Sequence, residues 1–501
     1  GLCGFVGKLS YERSQGLSRG IIDRTMWLLG KRAAAEGELV VFNPLGWARD
    51  AVVWPPKADA PVIIRGVPPM GYRVLHEDSP QESIPIVNVH EDEHSITLSR
   101  GALRVVIDKA RGVITQIHAA KFPDGVLDTP LLELSMPRAG EQETWEPAGV
   151  LVTEVMGQPA VQVQRVTKSG ESGVISVSLA PELDAVDIQF RFPGIPRPEP
   201  GFGGALRTRY AFAVPEMQLI HDHPYAVSEI EPRGTYLRKY PTGEWMTSPQ
   251  WFEEVHQPFT ALSLLDFTNE ERGVLLLHDG SQAYLGHGNA VEQVLTLYDP
   301  WDEDYFVAEL RASIRLVFHG GLTHAKRWRL AQEFGRPVRA LEGSGPGGDL
   351  PTEFGAVWCD DPGVAVSALF RETEESGRGL NAYAGAGMDF PYVLRLVELN
   401  GQETTATIHL PGPVAAAFRT TLLGEAIGPL AVGAGTTQAS APAEWSAISL
   451  TLHPHEITTV YLDLVYGRKA PRNLDAYRHV WATVHRVDDE QVGEAEATRA
   501  E

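Results

Sequence analysis

The spacing of hydrophobic positions changes once along the chain. From Ile21 to Glu36 there is no proline, and Ile22, Met26, Leu29 and Ala33 recur every three or four residues, which places them on one face of a helix. Gly37 is the natural stop. One such helix cannot bury its apolar stripe alone, so residues 1–37 read as the end of a helical bundle. After Glu38 the period falls to two. Leu39 to Phe42 and Ala51 to Trp54 are short strands, and Val161/Val163, Ile175/Val177/Leu179 and Val186/Ile188/Phe190/Phe192 alternate with polar residues. Turn clusters such as Pro193-Gly194 and Gly203-Gly204 separate these runs, which favours antiparallel sandwiches over βαβ units.

The expected layout follows from these breaks: 1–37 the bundle end, 38–83 a small β domain, 84–337 a large β region, 338–351 a Gly-rich linker, 352–466 a second β-sandwich and 467–501 a tail. In the second sandwich Ala356–Trp358, Val364–Phe370, Tyr392–Leu399, Thr405–Leu410 and Ile457–Leu464 are the predicted strands. In the tail, Leu474, Tyr477, Trp481 and Val484 have helical spacing, and six acidic positions follow from Asp488 onward. The fold class is therefore mainly β, with a helical start.

Composition narrows the function. With 65 Asp+Glu against 43 Lys+Arg the net charge is -22, which disfavours nucleic acid and anionic membranes as partners. The longest uncharged stretch, Ala426 to Ala443, is broken by Gly, Pro, Thr and Gln and does not read as a membrane span. Cys3 and Cys359 form neither a disulfide framework nor a CxxC knuckle, so the expected location is the reducing cytoplasm. The chain opens at Gly1 with no methionine before Met26, and it is expected to be a piece of a longer protein.

Candidate chemistry is sparse. There is no GxxxxGK[ST], GxSxG or HExxH motif. The pairs His221/His223 and His453/His455 would project from one face of a strand, but a metal needs a third ligand that the sequence does not name, and surface or loop histidines fit as well. The patterns His76-Glu77-Asp78 and His90-Glu91-Asp92 lie in polar turns. The most suggestive segment is Tyr298-Asp299-Pro300-Trp301-Asp302, continuing to Tyr305, because sugars stack on aromatic faces while carboxylates accept from their hydroxyls. A solvated acidic loop with its aromatics tucked inward has the same composition. Tyr240 to Trp245 is a second, weaker segment of this kind.

Four stretches, in order, resemble glycoside hydrolase family 38, the α-mannosidases. Leu39 to Arg49, carrying Phe42-Asn43-Pro44-Leu45, is similar to the junction where that family's helical bundle meets its β domains. Gly101 to Asp108 with Gly112-Val113-Ile114 is similar to the hairpin that opens its large sandwich. Gly273 to Gly280, followed by Leu295 to Asp299, is similar to the return toward the active-site side, and Leu452 to Val460 to the closing P-x-E-I-x-T strand. The resemblance implies a large sandwich of the galactose-mutarotase type, with an α/β barrel that carries zinc and the catalytic carboxylates lying upstream or on a partner chain. Neither HxD pattern here has the family's Trp three residues on, Gln81 and Ser95 standing there, and no residue matches the family's catalytic or zinc positions. The implied role is thus the noncatalytic β portion of an α-mannosidase, with no catalytic residue and no cofactor of its own, acting on a mannoside. Tyr298, Asp299, Trp301 and Asp302 would line the substrate pocket. The alternatives are a stand-alone carbohydrate-binding or mutarotase-like protein using His221, His223 and Glu229, and a purely structural module.

Overall fold

The computed structural model describes residues 4–55, 58–76, 79, 81–138, 141–201, 203–230, 258–269, 271–287, 289–298, 306, 308–348, 350–371, 392–422, 424–436 and 445–464. The expected tail helix lies outside them. Mainly β architecture is what the period-two runs predicted, and every pairing between the described strands is antiparallel.

Helix α1 (Gly4–Ala33) is longer than the sequence pattern indicated. Its last turns pack Met26, Ala33 and Ala34 on Val40, Phe42 and Tyr72, whereas Tyr11, Leu17, Ile21, Ile22, Trp27 and Leu28 are exposed. The small β domain is assembled from two distant chain segments. Leu39–Asn43 lies between Gly71–Leu75 and Arg339–Glu342, and Glu353–Phe354 adds to the far side of Gly71–Leu75. The Gly-rich stretch expected as a linker is therefore built into this domain. A Cβ at Gly343 would come within 2.2 Å of the Ala35 carbonyl oxygen, and one at Gly345 within 2.3 Å of the Lys31 carbonyl oxygen. Glycine is required there for close backbone approach, not for flexibility.

The large β region holds a nine-stranded sheet running from Trp145–Val155 at one edge to Ala226–Glu229 at the other, with Leu310–His319 and Gly273–His278 near its centre. A six-stranded sheet containing Leu206–Ala211, Ala290–Thr296 and Ala283–His287 packs on it, and a four-stranded meander from Asn88–Glu91 to Val113–His118 covers the rest. Between them lies a continuous core that includes Phe190, Phe212, Phe267 and Tyr284. The second sandwich stacks a sheet built on Thr404–Pro411 and Trp445–Leu452 against one built on Tyr392–Glu398 and Ile457–Leu464.

The element that joins the three β bodies lies inside a region expected to be all β. Helix α2 (His324–Gly335) is capped by Thr323, whose hydroxyl accepts from the Lys326 N–H. Arg327 donates into the large sandwich at Asp266 (Nε to Oδ2, 2.6 Å), and Glu333 accepts from Trp47 Nε1 of the small domain at 2.8 Å. Asn400 Oδ1 of the second sandwich accepts the Ala325 N–H at 3.0 Å. Trp328 meets Trp47 at a tilt with ring centres 5.7 Å apart, and the Arg329 guanidinium lies over the same indole. Asn43 holds the small-domain side in place. Its amide donates to the Trp47, Val67 and Pro68 carbonyls, and its oxygen accepts the Leu45 N–H.

Candidate functional site

Of the residues expected to face a sugar, Asp299, Trp301 and Asp302 lie outside the described residues, as does Tyr240 to Trp245. Tyr298 is described and buried, at 3 % exposure. Its hydroxyl takes a 2.5 Å hydrogen bond from Arg197 Nη2, the guanidinium carbon lies 4.2 Å from the ring centre, and Phe306 meets the ring edge-on. Its carbonyl accepts the Gly201 N–H, so Tyr298 anchors the 195–204 loop from the foot of the acidic segment. A ring covered in this way positions its neighbours and does not itself offer a stacking face.

The two HxH pairs sit in different settings. His221 and His223 share one face of the strand Gln218–His223, with ring centres 5.6 Å apart. His221 Nδ1 is 2.7 Å from the Thr260 carbonyl oxygen, and His223 Nε2 is 3.0 Å from Ser228 Oγ. Burial, followed by the neighbouring His221, lowers the His223 pKa. The partner strand pairs Ile220 with Glu229 and His221 with Ser228, so Glu229 lies on the opposite face from both histidines. The trial set of His221, His223 and Glu229 is therefore split by the pleat. His453 and His455 are not on a strand. They sit in the turn before Ile457–Leu464, with His455 at φ 58°, and no third ligand joins either pair among the described residues.

A row of rings leads inward from the first pair. His221 meets Phe259 edge-on at 6.4 Å, Phe259 stacks on Tyr284 at 5.6 Å, and Tyr284 lies 5.7 Å from His278. Tyr284 and Tyr210 share Gln293, which donates to Tyr284 Oη at 3.0 Å and accepts from Tyr210 Oη at 3.1 Å. His278 ends the strand Gly273–His278. It is buried, neither ring nitrogen has a hydrogen-bond partner, and burial presses its pKa down to about 4. Sequence reasoning passed over this histidine, because a lone His after the apolar run Val274 to Leu277 has no partner nearby in sequence. The only signal was a titratable residue closing a strand that its continuous apolar run marks as fully buried.

The buried carboxylates are held by donors. Asp222 accepts the Ser263 hydroxyl and the Ser263 and Leu264 N–H groups, and Glu398 accepts the N–H groups of Asn400, Gly401, Gln402 and His455. Carboxylates saturated by backbone donors brace turns and strand ends; they are not placed as a nucleophile or general acid.

Residues 388–460 match the family model described as the glycosyl hydrolases family 38 C-terminal beta sandwich domain. The matched segment is similar to a family 38 C-terminal sandwich. Its described strands are the five-stranded and four-stranded sheets of the second sandwich, without Val364–Arg371 and Trp358–Cys359. Among solved structures, an α-mannosidase from Enterococcus faecalis V583 superposes with a TM-score of 0.51 at 13 % identity, covering 88 % of this chain and 52 % of its own. A glycosyl hydrolase family 38 protein from Enterococcus faecalis gives 0.48 at 13 % identity, covering 88 % and 54 %. The chain thus spans about half the length of these two solved structures. No curated protein matches it. The first superposition shows a multi-sheet β fold shared with that structure. Among the described residues no helix is long and apolar enough to cross a membrane.

Proposed function

We propose that this chain is the C-terminal β region of an α-mannosidase-like glycoside hydrolase that removes terminal α-mannosides in the cytoplasm, its zinc-bearing catalytic barrel lying upstream or on a partner chain. The family 38 match over residues 388–460 carries the reading. The exposed Ile21, Ile22, Trp27 and Leu28 on α1 supply an apolar surface of the kind a helical bundle and barrel would cover. The described residues do not fit a zinc ion, since neither His pair gains a third ligand, and no catalytic step is assigned to them. Their part is to bind and orient. The segment from Asp299 to Asp302, positioned by Tyr298 and its Arg197 contact, lines the substrate pocket in this reading, with Asp299 and Asp302 accepting from sugar hydroxyls and Trp301 stacking on the ring.

The test is turnover of a chromogenic α-mannoside by the purified 501-residue chain with added zinc, with bound metal quantified on the same sample. The expected result is no turnover and no stoichiometric metal from the chain alone, and turnover once a family 38 barrel is supplied. Zinc-dependent turnover by the chain alone would overturn the division of labour.

A further inference from the structure

Among the described residues the nine-stranded sheet has one long open edge. Its other edge, Ala226–Glu229, is four residues long, and the six-stranded sheet ends on Glu141–Glu143 and Pro258–Thr260. In the second sandwich the edge strand Val364–Arg371 is bulged in its middle and Gly46 packs against Val366, while Ala426–Leu430 carries Gly428 and Pro429. These are the usual guards against strand addition. Trp145–Val155 differs: it spans 11 residues, and its bulge is confined to Pro147/Gly149. From Gly149 to Val155 it is regular, with one charged residue, Glu154, and no proline. Leu151 and Val152 are each 39 % exposed.

The ladder shows which backbone groups face outward. Pro159 stands opposite Glu154 and has no N–H to give, so that pair is of the non-hydrogen-bonded kind. Alternation then turns the N–H and C=O groups of Val150, Val152 and Glu154 away from the sheet, three outward-facing sets in a row with no partner strand among the described residues.

We propose that this edge pairs with the same edge of a second copy of the chain, joining two nine-stranded sheets across a two-fold axis at Val152. An antiparallel edge is self-complementary, as a two-fold interface requires. Centred on Val152, the register sets Val150 against Glu154 and Leu151 against Thr153 of the other copy, so no like charges face each other. It also brings the turn at Met156, exposed and flanked by the exposed Trp54 packed on Gly157, over the small Ala148 and Gly149 of the second copy. Aromatic and methionine side chains seated on small residues are what a stable interface core favours.

The register makes the test specific. Two Val152 residues facing as a hydrogen-bonded pair have Cα atoms about 5.5 Å apart, inside the disulfide range, whereas two Thr153 residues are more than about 7 Å apart. Val152→Cys is expected to form a covalent dimer of the full chain under mild oxidation, while Thr153→Cys and the parent, with Cys3 and Cys359, do not. Sedimentation of the parent chain should give twice the monomer mass, falling twofold in Val152→Lys at unchanged circular dichroism. A monomeric parent overturns the proposal, as does a dimer that survives Val152→Lys with no cross-link at Val152→Cys. Linking through Thr153→Cys instead overturns the register.

Discussion

Asp266 and Arg327 form a buried ion pair, Nε to Oδ2 at 2.6 Å, that fixes helix α2 to the large sandwich. The second carboxylate oxygen meets His319 Nε2 at 2.9 Å, and His319 Nδ1 accepts the Gly321 N–H. An accepting Nδ1 assigns the ring proton to Nε2, so a neutral histidine donates to Asp266. Removing one member of such a pair leaves an uncompensated buried charge. Arg327→Ala and Asp266→Asn are each expected to cost about 3–5 kcal/mol in urea unfolding, because the first leaves the Asp266 carboxylate and the second the Arg327 guanidinium buried without its counter-charge. A loss below about 1 kcal/mol in either variant would reject this account.

Asn43 organises the turn at Phe42 to Trp47 with one amide. Asn43→Ala strips three carbonyls and one N–H of their partner and should destabilise the chain by about 2–4 kcal/mol. Limited proteolysis should cut first in the small domain. Unchanged protection there would show that the strand pairing holds the turn without the side chain.

The same logic applies to Glu398, whose carboxylate binds four backbone N–H groups at the turn facing His455. Glu398→Gln keeps the shape but offers one acceptor oxygen, and about 2–3 kcal/mol of stability should be lost. A calorimetric scan of the two proteins side by side decides it, with coincident melting temperatures as the negative result.

His278 makes stability depend on pH. Its folded pKa, about 4, lies below the unfolded value near 6.5, so the unfolded chain binds the proton more readily. The folded state is then at full stability above about pH 6.5 and loses it as pH falls toward 4. Between pH 7 and pH 5 the loss from this residue is about 2 kcal/mol. His278→Leu should lack that component, so the difference between its denaturation midpoints at the two pH values should be smaller than the parent's. Parallel profiles would place the proton elsewhere.

The pocket-wall reading is tested in the barrel-bearing enzyme. Trp301→Ala or Asp302→Asn should raise KM several-fold for an α-mannoside. Tyr298→Phe, which loses the Arg197 hydrogen bond but keeps the ring, should have a smaller effect. Parent-like kinetics in all three variants would remove this segment from the site.

Alternation and turn chemistry alone placed several strands. Ile457–Leu464 is where the pattern put it, Val364–Arg371 and Tyr392–Glu398 differ from expectation by a residue at one end, Thr404–Pro411 by a residue at each end, and the strand expected at Ala356–Trp358 is instead Trp358–Cys359. These depend on local spacing, which a sequence carries directly. The FNPL and P-x-E-I-x-T stretches pointed to family 38, and the match over residues 388–460 agrees. What tertiary structure decided is everything that joins distant segments. The Gly-rich stretch near residue 345 reads as a tether until Lys31, Ala34 and Ala35 are seen pressed against it. Helix α2 carries a weak apolar stripe, because several of its side chains are polar groups aimed into Asp266 and Trp47 and not at solvent. Glu229 and His221 look like site partners until the strand register puts them on opposite faces, and Tyr298 looks like a sugar platform until Arg197 covers it. Local periodicity fixes which residues can point inward; which of them meet is set by long-range pairing that no single segment encodes.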